Sequence, residues 1–99
     1  MPVYMNELIA KLMEAISKIE SKEECLAFFD DLCTIKEIQD MAQRFETAIQ
    51  LAEGKNYKEI AKDVGVSTAT ISRVSRCLNY GAGGYRKAIE KMVREEEEK

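Results

Sequence analysis

Residues 57–76 read YKEIAKDVGVSTATISRVSR, and this stretch decides the fold. Ile60 and Val64 share one helical face, then Gly65 interrupts, then Ile71 and Val74 share another. Two short helices that cross steeply need a three- or four-residue turn, often with glycine, and a small residue where their backbones approach. Gly65 supplies the turn, Ala61 the close approach and Val66 a plug beneath the turn. Ile60, Val64, Ile71 and Val74 supply the apolar seam. The segment is therefore expected to be a helix-turn-helix. Asn56 and Ser67 stand where the helices start and suit N-capping.

The surroundings read as helix after helix, without the strict alternation of a strand. Leu8, Leu12, Ile16 and Ile19 fall on one face and predict a helix over residues 6–19, with Ile9 and Met13 widening the stripe. Ser21 and Glu24 form a capping box, in which Glu24 is expected to return to the Ser21 backbone. The helix it opens carries Leu26, Phe29 and Leu32, flanked by Cys25 and Phe28. Thr34 and Glu37 repeat the box and open a third helix. Its expected buried stripe is Ile35, Ile38, Ala42, Phe45, Ile49 and Ala52, broadened by Met41 and Ala48, and Gly54 ends it. A helix over residues 57–63 and a second over 68–78 make the motif, with Leu78 also inward. The glycine-rich connector 79–84 leads to a last helix over 85–95, burying Tyr85, Ala88, Ile89, Met92 and Val93.

Length sets one domain: 99 residues leave no room for two. A chain this short with three apolar-striped helices is expected to complete its core by dimerising. The division is residues 1–54 as acidic dimerisation helices, 55–78 as the reader, 85–95 as a packing helix and 96–99 as a frayed acidic tail.

Composition removes most chemistry. No histidine is present, so no Ser–His or Cys–His pair and no His-containing metal site can form. Cys25, Cys33 and Cys77 are odd in number and form no CxxC, which reads as reduced, mostly buried thiols. No glycine loop has phosphate-binding spacing. Asp30 and Asp31 are neighbours on a helix and point apart. No enzyme, metal or cofactor is expected. Without a signal segment or a membrane-length apolar run, the expected address is the cytoplasm.

The net charge of −3 conceals a polarity. Residues 1–54 carry 5 Lys/Arg against 11 Asp/Glu, and residues 55–94 carry 9 against 3. No acidic residue occurs between Asp63 and Glu90. A basic portion of this kind suits a polyanion. In the motif, Thr68, Ala69 and Ser72 allow close approach to base edges, and Arg73 and Arg76 offer donor forks for guanine or phosphate. Ser67 starts that helix. Lys58 and Lys62, with Lys55, suit backbone phosphates, and Asn56 and Tyr57 could add polar contacts.

The run Gly65-Val66-Ser67-Thr68-Ala69-Thr70-Ile71-Ser72-Arg73 resembles the core motif of the Trp-repressor superfamily, in particular its TrpR-like YerC/YecD branch. The resemblance covers residues 35–95. It implies an all-α protein, an intertwined homodimer with paired helix-turn-helix readers. It also implies an effector pocket at Arg44, Arg73, Val74 and Cys77, where two arginines hold an indole between them. Here Val74 stands in place of a glycine and Cys77 in place of a serine, so tryptophan is a poor fit. Arg44 has an alternative partner in Asp40, one turn earlier. The favoured function is a sequence-specific DNA-binding transcriptional regulator, a repressor by resemblance, acting on a double-stranded operator as a homodimer. Whether an effector controls it stays open. The alternative is a helical protein–protein adaptor on the same scaffold.

Overall fold

The computed structural model describes the backbone of residues 3–98 and the side chains of residues 3–96. Among the described residues the structure is all-α, with six helices: α1 (Glu7–Ser17), α2 (Lys22–Leu32), α3 (Ile35–Ala52), α4 (Tyr57–Val64), α5 (Thr68–Tyr80) and α6 (Gly84–Glu98). None of them is long and apolar enough to cross a membrane. The chain divides into two compact units, residues 1–38 and 39–99.

In the first unit the helices begin where their caps say. Asn6 accepts the Ile9 N–H at 3.0 Å, and Ser21 accepts the Glu24 N–H at 3.1 Å. The Glu24 carboxylate takes the Glu20 N–H at 2.6 Å rather than that of Ser21, so this capping box closes one residue early. Thr34 and Glu37 form the reciprocal pair in full, at 2.8 and 3.1 Å. Hydrogen bonding to the carboxylate by the Thr34 backbone N–H, and then by the Thr34 side chain, holds the Glu37 carboxyl below the usual glutamate range. α1 stops at Ser17, before the expected Ile19, because Lys18 and Ile19 bond three residues back and tighten the last turn.

No residue of α1 or α2 is buried. Ile9, Leu12, Ile16 and Ile19 are half-buried, as are Cys25, Phe28 and Phe29, and the two phenyl rings meet edge to face. Leu8, Met13, Leu26 and Leu32 are exposed. At the start of α3, Ile35 is exposed as well, 72% of its surface open. The stripes drawn from sequence thus exist as faces, and much of their apolar surface is exposed.

The core lies in the second unit. Ile60, Ile71, Val74, Leu78 and Ala48 are buried, with Ile60 and Ile71 wholly so. α4 packs on α5, and α5 on α6. α3 turns Thr47 and Gln50 inward beside the expected Ala48, while the expected Ala42 and Ala52 are exposed; Phe45 and Ile49 are half-buried. The polar pair is only partly accommodated locally: the Thr47 hydroxyl donates to the Gln43 carbonyl at 2.8 Å and Gln50 Nε2 donates to Glu46 at 3.1 Å, while Gln50 Oε1 is buried with no hydrogen-bond partner among the described residues. Helical spacing alone marks the row of apolar residues and cannot show that polar Thr47 and Gln50 turn inward.

α5 runs to Tyr80, two residues past the sequence expectation, and α6 continues through Glu98 instead of ending near residue 95. Glutamates 95–98 are therefore helical; Lys99, the last residue of the expected tail, lies outside the described residues. On α6, Tyr85 and Ile89 are half-buried, while Ala88, Met92 and Val93 are exposed. The thiols also depart from expectation: Cys25 and Cys33 are half-buried and Cys77 is exposed, all three free.

Candidate nucleic-acid interface and adjoining pocket

The α4–α5 pair is built by three local devices. Asn56 caps α4: its Oδ1 accepts the Glu59 N–H at 2.9 Å, and its Nδ2 donates to Glu59 Oε1 at 2.9 Å. Gly65 ends α4 at φ +79, ψ +36, and its N–H reaches the Ala61 carbonyl at 3.0 Å. That left-handed geometry favours glycine. Ser67 then caps α5, accepting the Thr70 N–H at 3.1 Å while donating to the Thr70 hydroxyl at 3.1 Å. The turn is residues 65–67, and the two helices close over Ile60, Ile71 and Val74. This is the helix-turn-helix expected from the sequence.

The residues singled out for DNA fall into two groups. Tyr57, Lys58, Lys62, Thr68, Ala69, Ser72, Arg73 and Arg76 are exposed. On α5 they occupy the side opposite Ile71, Val74 and Leu78, so the helix has one apolar face in the core and one small-and-basic face outside. Asn56 and Ser67 are exposed too, but their polar atoms are spent on capping. Lys55 pairs with Asp63 at 3.8 Å, which couples the start of the motif to the end of α4. Like most exposed pairs it adds little stability.

Beside the motif lies a cavity of about 390 Å³, open to solvent, lined by Arg44 and Gln43 of α3, the turn, Arg73, Val74 and Cys77 of α5, and Tyr85 of α6. The four residues assigned to an effector pocket are therefore brought together. Asp40 lines the same cavity. Two guanidinium groups, hydroxyls from Ser67 and Thr70 and the aromatic Tyr85 give it a polar, cation-rich wall with one apolar patch. Sequence reasoning placed Tyr85 in the core and missed it here. Its ring stacks on Phe45, a contact between residues too distant in sequence for any periodicity to signal.

An all-α fold with a capped helix-turn-helix and a small-and-basic outer helix face defines the class of helix-turn-helix proteins. The comparisons narrow this to one family. The family model described as Trp repressor protein matches residues 7–93. YerC of Bacillus subtilis (strain 168), an uncharacterized protein, is 51% identical over 88 residues, spanning 89% of this chain and 85% of YerC. A TrpR-like protein from Eubacterium eligens ATCC 27750 superposes with a TM-score of 0.85 at 44% identity, over 89% of this chain and 91% of that one. A Staphylococcus aureus protein of solved structure gives 0.86 at 42% identity, over 90% and 89%. The chain belongs to the Trp repressor family.

Proposed function

We propose that this chain is a sequence-specific DNA-binding transcriptional regulator, a repressor, that acts as a homodimer. The observation that carries the reading is the outer face of α5: Thr68, Ala69, Ser72, Arg73 and Arg76 stand exposed on the helix that follows the Gly65 turn. A recognition helix enters the major groove with its N-terminal residues toward base edges, and small side chains there permit close approach. Lys58 and Lys62 on α4 take the role of phosphate contacts. Family membership supports the same reading.

The homodimer rests on the uncovered apolar surface of α1, α2 and the start of α3. Leu8, Leu26 and Ile35 are exposed at 76%, 63% and 72%. Apolar surface on this scale marks an interaction site. A reducing cytoplasm suits three free thiols.

The cavity beside Arg44 and Arg73 is read as an effector site whose occupant is not tryptophan. Val74 occupies space that a flat ring needs, and the Cys77 thiol donates weakly where a hydroxyl would serve. Selection of bound sequences from a random duplex pool, followed by affinity measurements across salt, tests the function. An enriched sequence whose log affinity falls steeply with log salt supports it. No enrichment, with salt-insensitive capture of a protein partner, would favour the adaptor.

A further inference from the structure

One guanidinium ties the recognition helix to α6. Gly81 ends α5, its N–H donating to the Cys77 carbonyl at 2.8 Å. A Cβ at Gly81 would collide with that same carbonyl, so the chain is forced through glycine here. Gly83, at φ +88, and Gly84 follow. A connector so rich in glycine does not by itself fix the direction of the next helix.

Arg86, in the first turn of α6, reaches back across this connector. Its Nε donates to the Leu78 carbonyl at 3.2 Å, and its Nη2 donates to Asn79 Oδ1 at 3.0 Å. Asn79 in turn donates to the Ser75 hydroxyl at 3.4 Å. The Leu78 carbonyl belongs to the last turn of α5, where the helix leaves its acceptors without intrahelical donors and where a cation is favoured. The fork of the guanidinium meets two acceptors at once, which an ammonium cannot reproduce.

Tyr85, immediately before Arg86, is the α6 residue that lines the cavity. The remaining lining residues come from α3, α5 and the turn between α4 and α5. We propose that Arg86 is a positioning residue for this cavity: it straps the first turn of α6 to the last turn of α5 and so holds Tyr85 in the wall shared with Arg73 and Cys77. The width of the cavity is thus set by a residue that does not line it. The inference rests on the cavity's geometry and not on DNA binding or on any effector, so it stands or falls separately from the regulator reading.

The test is fluorine NMR on the full chain carrying 3-fluorotyrosine, with the Tyr85 signal assigned by Tyr85→Phe. Arg86→Ala is expected to move the Tyr85 resonance toward that of Tyr80, which is 88% exposed, and to leave Tyr57 on α4 in place. Amide exchange should rise over residues 79–87 by roughly tenfold or more, with α4 unchanged, as local opening requires. Arg86→Lys, which keeps charge and one hydrogen bond, should fall between. If Arg86→Ala fails to fold, Arg86→Lys carries the comparison. A Tyr85 signal that stays put in either folded variant overturns the proposal, because the Phe45 stack would then suffice. Equal shifts at Tyr57 and Tyr85 also overturn it, since Arg86 would be acting on the whole unit.

Discussion

Phe45 of α3 and Tyr85 of α6 stack with ring centroids 6.4 Å apart and planes 24° from parallel. The pair joins α6 to α3 beside the cavity, and such stacking is worth about 0.5–1.5 kcal/mol beyond area burial. Tyr85 also presents its ring to a wall that already holds two arginines and Val74.

That wall makes a prediction about ligands. Val74 and Cys77 line this wall where the family resemblance implies a glycine and a serine, so a flat indole is expected to fit poorly. Titration calorimetry with L-tryptophan should give no saturable heat at sub-millimolar concentration. Saturation there would mean that the cavity admits an indole despite the valine.

Asn56 and Lys58 should separate capping from DNA contact. Asn56 spends its side chain on Glu59. Asn56→Ala should cost about 1 kcal/mol of stability in urea unfolding. Lys58→Ala should change stability by less than about 0.5 kcal/mol. On the selected duplex it should reduce the slope of log affinity against log salt by about 1, equally for matched and mismatched sequences. An unchanged slope would remove Lys58 from the phosphate contacts.

Glu37 makes the start of α3 sensitive to acid. Its carboxyl sits below the ordinary range because Thr34 hydrogen-bonds the charged form. A group whose folded pKa is depressed contributes stability above its unfolded value, about 4.3, and that contribution is lost as pH falls through the lower folded value. An NMR titration should show the Glu37 carboxyl and the Thr34 amide shifting together at a pH below the usual glutamate range. A Glu37 midpoint within or above that range would contradict this, and Glu37→Gln should abolish the Thr34 amide shift.

The uncovered faces of α1 and α2 predict association. Sedimentation equilibrium at micromolar concentration should return twice 11.3 kDa. A stable monomer that unfolds cooperatively would show that the first unit needs no second copy.

Much of this was legible in the sequence because it depends on near neighbours. Caps act over three or four residues, so Asn6, Ser21, Thr34, Asn56 and Ser67 announced their helices, and Gly65 its turn. The seam of Ile60, Ile71 and Val74 follows from short-range periodicity joined by one turn. What escaped depends on distant partners. The inward rotation of α3 onto Thr47 and Gln50, the stack of Phe45 on Tyr85 and the reach of Arg86 to Leu78 are set by tertiary packing, and no spacing encodes them. Asn56 and Ser67 read both as caps and as DNA contacts, because polarity at a helix start serves capping and phosphate binding alike; the capping bonds are present in the structure. Arg44, Arg73, Val74 and Cys77 line one cavity, as the family resemblance implied, while Tyr85 had no local signal to place it there.

The central claim is that the outer face of α5 meets the bases of DNA. Ala69 lies on that face, exposed in the first turn of the helix. Fluorescence anisotropy on the selected duplex should show specific binding by the chain and none by Ala69→Glu, with both species giving the same sedimentation and unfolding profiles. The introduced carboxylate would be driven against the groove and its phosphates, where nothing neutralises it. If Ala69→Glu binds that duplex as tightly as the unaltered chain, α5 does not face DNA and the regulator reading is wrong.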